Sequence, residues 1–152
     1  MVGCIVTNMV QFSQVIRPIS WGEMDLFGHL NNVHYFRYME DARIEFLDQF
    51  HFFQESLYSV ILKNECEYKA PVVYPDQLVT RSYVKHVGNT SFSMCYEIYS
   101  EAQQKVVAVG HSVIVIVDQI NFSKKPIPSH IKDNIQTYMA QFPYGESDDN
   151  AK

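Results

Sequence analysis

A carboxylate, a turn glycine, an imidazole and two amides fall within one short stretch, Asp25-Leu26-Phe27-Gly28-His29-Leu30-Asn31-Asn32, which runs on into Val33-His34-Tyr35. These groups can do acid/base or nucleophilic chemistry. A carboxylate such as Asp25 can attack a carbonyl carbon or activate a water that does so. Asn31 or Asn32 can cap a following helix, because an Asn side chain accepts from the unpaired N–H groups of the first turn. Free N–H groups at that helix start can also hold a developing oxyanion. His29 can orient Asp25, polarise a carbonyl or protonate a leaving group. Each residue also has a plainer reading. Asp25 can simply cap a turn through Gly28, Asn31 and Asn32 can be helix caps alone, and His29 can be a local hydrogen-bonding group.

Several elements must position this stretch. Gln14 to Ile19 is β-branched and reads as a strand that ends at Trp21-Gly22. Glu23 to Leu30 reads as loop, with Gly28 as its tight turn. A helix is predicted from Asn32 to Phe50, because Tyr35, Met39, Ala42, Phe46 and Phe50 recur at three- and four-residue spacing. Arg37, Asp41, Glu45 and Asp48 fall on its other side, and spacing pairs Arg37 with Asp41 and Glu40 with Arg43.

The pattern then changes to period two. Glu65 to Ala70, Leu78 to Val87 and Ser91 to Ile98 read as strands, separated by Pro71, Pro75-Asp76 and Gly88-Asn89. Val106 to Val117 is apolar on both faces, as a central strand is. Ala108, Gly110 and Ser112 give it one small-residue face, which is expected to receive the helix. Pro126 and Pro128 close the core, and Ser129 to Met139 reads as a second helix. The order describes an α+β fold in which one long helix covers a curved antiparallel sheet of about five strands.

Composition narrows the function classes. A chain of 152 residues is expected to form one domain, bounded here as an N-terminal extension (1–13), a core domain (14–142) and a flexible acidic tail (143–152). A formal charge of −5 without basic runs argues against nucleic-acid binding. Cys4, Cys66 and Cys95 are an odd set with no Cys-x-x-Cys pair, which fits a reducing, cytoplasmic setting and no zinc site. His34, His51, His86, His111 and His130 have no metal-ligand spacing, so neither metal nor cofactor is expected. No run is long and apolar enough for a membrane span, and the opening residues lack the basic region of a signal peptide. Ser91 and Ser93 lack a Gly-x-Ser-x-Gly elbow, which argues against a serine hydrolase.

Three passages together carry a family resemblance. The first is Asp25-x-x-Gly28-His29-x-Asn31-Asn32-x-x-Tyr35, continuing as Tyr38-Met39-Glu40-Asp41-Ala42-Arg43. The second is Tyr68-Lys69-Ala70-Pro71 followed by Asp76, and the third is Pro126-Ile127-Pro128 after the last strand. In this order they resemble the hotdog-fold acyl-CoA thioesterases of the 4-hydroxybenzoyl-CoA thioesterase-like group, from about Gln14 to Met139.

The resemblance implies hydrolysis of an acyl thioester to a free acid and CoA-SH, with Asp25 as nucleophile or general base. His29, Asn31 and the backbone N–H of Asn32 complete the implied catalytic set. Tyr35 matches a recurrent position, and Lys69, Arg81 and Lys85 are the cations available for coenzyme A phosphates. Gly88, Asn89, Thr90 and Ser91 are further expected substrate contacts, made through the backbone of their turn. The resemblance also implies a homodimer or homotetramer with active sites at the subunit interface. An acyl carrier protein as substrate donor and a non-catalytic acyl-CoA-binding module stand as alternatives.

Overall fold

A computed structural model describes residues 10–145. Along the chain run β1 (Gln14–Pro18), α1 (Asn32–Asp48), β2 (Leu57–Tyr68), β3 (Gln77–Val87), β4 (Ser91–Ser100), β5 (Lys105–Asp118) and α2 (Ser129–Gln141), with short 3-10 turns at Trp21–Glu23 and Phe52–Gln54. The strands form one antiparallel sheet in the order β1-β3-β4-β5-β2. Register shifts at Ile61/Lys63, Val84/His86 and Ile98/Tyr99 put an extra residue into a ladder. Each such bulge bends its strand and sharpens the twist, which curls the sheet. Among the described residues no helix is long and apolar enough to cross a membrane.

The concave face of the sheet holds α1. Tyr35, Met39, Ala42 and Phe46 are buried along the predicted stripe, and Tyr38, Arg43 and Leu47 widen it. On β5 the small-residue face does receive the helix: a Cβ added to Gly110 would meet the Met39 side chain. Only glycine lets α1 approach this closely. At the other end of the core, Ile131, Ile135 and Tyr138 of α2 complete the packing. The Tyr138 hydroxyl donates to the Ser82 carbonyl at 2.6 Å and accepts from the Ser13 N–H at 3.1 Å. Ser13 also accepts from the Ser82 N–H, and the Phe12 ring packs on Tyr83, Tyr138 and Phe142. Residues 1–9 and 146–152, most of the expected extension and tail, lie outside the described residues.

Several local expectations are corrected. The helix ends at Asp48, and its last two predicted residues form the turn into the next segment. Strand β2 begins at Leu57, well before the alternation at Glu65, because the bulge at Leu62 breaks the two-residue period. Asp41 pairs with Arg17 of β1 rather than with Arg37, whose partner is Glu40 at 3.7 Å. Arg43 is not paired with Glu40; it turns inward, only 8% exposed, and donates to the Tyr96 hydroxyl at 3.4 Å. Spacing along a helix ranks neighbours on that helix and says nothing of a cation or phenol waiting on the sheet.

Candidate active site

The stretch before α1 is a tight hairpin. Met24 and Leu30 form an antiparallel bridge, and inside it the Asp25 N–H donates to the His29 carbonyl at 2.7 Å. The Gly28 N–H donates back to the Asp25 carbonyl at 3.0 Å, and Gly28 adopts a φ of +76°. A β-turn closed by a left-handed residue is a common three-residue hairpin loop, and glycine fills the left-handed position without a Cβ clash. The Asp25 side chain reinforces this turn: its Oδ1 accepts from the Phe27 N–H at 2.8 Å and the His29 N–H at 3.2 Å. Its Oδ2 has no donor among the described residues. One carboxylate oxygen is therefore fixed by the backbone and the other is open.

The hairpin is tied down from several directions. The Leu30 N–H donates to the Val72 carbonyl at 2.8 Å and the Asn31 N–H to the Glu23 carbonyl at 2.9 Å. Glu23 in turn accepts from the Ser20 N–H and from the Tyr38 hydroxyl of α1. Asn31 is the helix cap: its Oδ1 accepts from the Val33 N–H at 3.2 Å, and its carbonyl accepts from the His34 N–H. The Asn32 N–H, at the first helical position, finds no acceptor among the described residues. It is an unpaired donor at the positive end of the helix dipole. From the end of β2, the Tyr68 hydroxyl donates to the Asn32 carbonyl at 2.9 Å, and its ring meets Tyr35 edge-on at 4.9 Å. Burial pushes the Tyr35 phenol up to about 12, so it stays protonated at neutral pH.

Among the described residues, cavities open on two sides of Asp25. One, of about 330 Å³, is walled by Asp25, His29, Asn32, Tyr35, Tyr68 and Lys69. The other, of about 530 Å³, lies across the hairpin between Trp21, Met24, Leu26, Val73 and Tyr74. Of the sequence-predicted site residues, Asp25, His29, Asn32 and Tyr35 share the first cavity, and of the three predicted cations Lys69 alone joins them. Asn31 borders it as the cap. His29 is exposed and meets Asp25 through its backbone.

Lys85 and the Gly88–Ser91 turn lie elsewhere in the chain. Strand register sets Tyr68 level with Ala108 and Ile98, whereas Ser91 is level with Val115 and Val60. From Val60 to Tyr68 along β2, at about 3.3 Å per residue, is roughly 25 Å. The turn's backbone is also partly committed: the Gly88 N–H donates to Ser91, and the Asn89 and Thr90 carbonyls accept from Ile127 and Ile116. The Lys85 ammonium lies 5.4 Å from the Tyr144 ring centre, and Arg81 lies over Tyr99 and beside Glu97. Tyr68 as a partner of the helix start, and Trp21, Met24, Val73 and Tyr74 as a second wall, were missed in the sequence. Period-two alternation marks Tyr68 as part of a strand, but its partner Asn32 lies far away along the chain.

Residues 19–135, from the end of β1 into α2, match the family described as Thioesterase-like superfamily. The chain belongs to this superfamily. Its fold is the hotdog fold, with α1 cradled in the curled sheet. Among its relatives, the uncharacterized protein YsmA of Bacillus subtilis (strain 168) is 33% identical over 94 residues, covering 59% of this chain and 61% of YsmA. The chain thus matches less than two thirds of that relative's length. The long-chain acyl-CoA thioesterase FadM of Escherichia coli (strain K12) is 26% identical over 99 residues, covering 62% of this chain and 75% of FadM. The solved structure of the PA2801 protein, a putative thioesterase from Pseudomonas aeruginosa, superposes with a TM-score of 0.75 at 29% identity, covering 82% of this chain and 99% of that one.

Proposed function

We propose that this protein hydrolyses acyl thioesters of coenzyme A to a free carboxylic acid and CoA-SH, with Asp25 acting on the thioester carbonyl. One observation carries the reading: a carboxylate with Oδ1 fixed by two N–H groups and Oδ2 without a donor among the described residues lines the same cavity as Asn32, whose N–H has no acceptor among them. A carbonyl oxygen on that N–H exposes its carbon to Asp25. Direct attack forms a mixed anhydride and expels the CoA thiolate, and water then cleaves the anhydride. Acting instead as general base, Asp25 takes a proton from the attacking water. The thiolate is a good leaving group, so His29 serves better to polarise or orient than to protonate. Family membership and the likeness to FadM support a thioester as substrate.

The same reading makes the protein a homodimer. Among the described residues the outer edge of β2 has no strand partner, and it exposes Tyr58, Ile61 and Leu62; pairing with a second copy would cover it. Antiparallel pairing of two β2 edges about their midpoint sets the Val60 end of one chain against the Tyr68 end of the other. The Gly88–Ser91 end of one sheet then comes level with the other chain's Asp25, which is the arrangement in which that turn and Lys85 contact coenzyme A.

The test is thiol release from short, long and aromatic acyl-CoAs by wild type and Asp25→Asn in parallel. Asparagine keeps the Oδ1 acceptor of the turn and removes the charge. Turnover is expected to fall at least about a hundredfold, the scale of lost acid/base or nucleophilic assistance. Near-native turnover by the variant removes Asp25 from the mechanism, and no turnover by wild type overturns the hydrolase reading.

A further inference from the structure

We infer that the two cavities meeting at Asp25 divide the substrate: the larger takes the acyl group, the smaller takes the thiol arm, and the acyl group preferred is uncharged and extended. This rests on the thioesterase reading above and goes on to name the substrate class.

The two spaces differ in chemistry as well as size. The larger, about 530 Å³, is walled by Trp21, Gly22, Met24, Leu26, Val73 and Tyr74. That volume lies within the range of about 300–1,000 Å³ that encloses ligands of drug size, and exceeds what an acetyl group needs. Trp21 is 76% exposed and Leu26 94%, so an apolar chain entering here removes protein as well as ligand surface from water. Among the described residues Asp25 is the sole charged side chain in this wall. A second carboxylate on the acyl group, as in a succinyl thioester, would lie beside Asp25 with no cation to answer it, and like charges at such range repel. The smaller cavity, about 330 Å³, carries His29, Asn32, Tyr68 and Lys69 on its wall. Its hydrogen-bonding groups suit the amide-bearing thiol arm, and Lys69 sets a cation on that wall for the phosphates the arm leads to.

Gly22 gives a clean probe. A Cβ built there meets nothing within 4 Å, and its φ is not in the left-handed range. Gly22→Leu therefore adds bulk to the acyl cleft without straining the backbone. Wild type is expected to show kcat/KM for octanoyl-CoA at least about tenfold above acetyl-CoA, as apolar pocket contacts of a few methylenes give, and butyryl-CoA at least about tenfold above succinyl-CoA. Gly22→Leu is expected to cut the octanoyl-to-acetyl ratio at least about tenfold. Lys69→Ala is expected to raise KM for acyl-CoAs and to leave acyl-N-acetylcysteamine thioesters, which lack phosphates, far less affected. Binding of S-octyl-CoA, a thioether that cannot be hydrolysed, is measured by calorimetry on wild type and Gly22→Leu; about tenfold weaker binding to the variant is expected.

An unchanged octanoyl-to-acetyl ratio in Gly22→Leu, or succinyl-CoA turned over as well as butyryl-CoA, overturns the division. Absence of all turnover with the tenfold binding difference intact sinks the hydrolase reading and keeps the cleft. Equal binding of the thioether by both proteins sinks the cleft whatever the turnover.

Discussion

Replacing Gly110 by alanine tests how the sheet positions the proposed active site. An ideal Cβ at Gly110 overlaps the Met39 Sδ and lies 2.6 Å from its Cε and 3.3 Å from its Cγ. Carbon atoms in contact sit about 3.5–4.0 Å apart, so the thioether or the whole of α1 must move by roughly an ångström. Met39 is fully buried, which leaves it little room to swing aside. Overpacking of this kind costs about 1–3 kcal/mol, and for a chain of this size the melting temperature should fall by roughly 2–12 °C. Met39 lies one turn beyond Tyr35 on the helix that also presents the Asn32 N–H. A displacement of about an ångström at a catalytic group can cost on the order of a hundredfold in rate, so kcat/KM should fall even well below the melting temperature. Met39→Ala alone leaves a cavity and costs about 2–5 kcal/mol. Gly110→Ala partly refills that space, so the double variant should be more stable than Met39→Ala, with a favourable coupling of at least about 1 kcal/mol. Calorimetry and denaturant titration of the four proteins give the cycle. A Gly110→Ala protein that melts with wild type, or a cycle that is additive, refutes the packing argument.

Other perturbations probe the site itself. Tyr68→Phe removes the hydrogen bond to the Asn32 carbonyl, a loss of about 0.5–1.5 kcal/mol; kcat should fall more than stability does, and equal turnover would show the helix start needs no such pin. Gly28→Ala should cost about 1–2 kcal/mol from its left-handed backbone alone, since no neighbour crowds the position, and Gly28→Asn should cost less. Identical melting of the two variants would refute a backbone origin. Alkaline stability follows from buried acids. Burial pushes the Cys66 and Cys95 thiols up from 9 to about 11, and the Tyr35 and Tyr138 phenols up from 10 to about 12. A raised folded-state pKa means that the native state holds its proton more tightly than the unfolded chain. The stabilisation is then complete below about pH 9 and lost as pH climbs through 11 to 12. Denaturant midpoints should fall over that window, and a flat profile from pH 8 to 12 would contradict the burial of these groups.

The long helix, the succession of elements along the chain and the small face of β5 were legible because each is written in local periodicity. Tyr35, Met39, Ala42 and Phe46 state which side of α1 faces inward, and Gly110 between Ala108 and Ser112 states where it can lie. Asp25 and Asn31 were legible through turn and capping chemistry, which spans only a few residues. Three kinds of information were not. The bulge at Leu62 hides half of β2 from any alternation rule. The partners of Asp41 and Arg43 come from β1 and β4, and no helical spacing can name them. The level of Lys69, just past the end of β2, and of Lys85 on β3 depends on register, so the three similar cations could not be ranked until the strands were paired. Only Lys69 reaches the cavity with Asp25.

The hairpin at Asp25 breaks one local rule. Tips of tight hairpins favour small or polar residues, yet this one carries Leu26 at 94% exposure and Phe27 at 81%. Folding gains nothing from them, since neither reaches the core. The turn itself is secured by other means: Gly28 supplies the backbone, Asp25 Oδ1 collects two N–H groups, and Val72 and Glu23 hold the strand that follows. With the loop held by backbone hydrogen bonds, its tip is released from structural duty. Departures from local rules concentrate where function demands them. Leu26 lines the larger cavity beside the open oxygen of Asp25. The same few residues thus hold the carboxylate rigid, leave one oxygen free, and set beside it the apolar wall that we assign to the acyl group of a thioester.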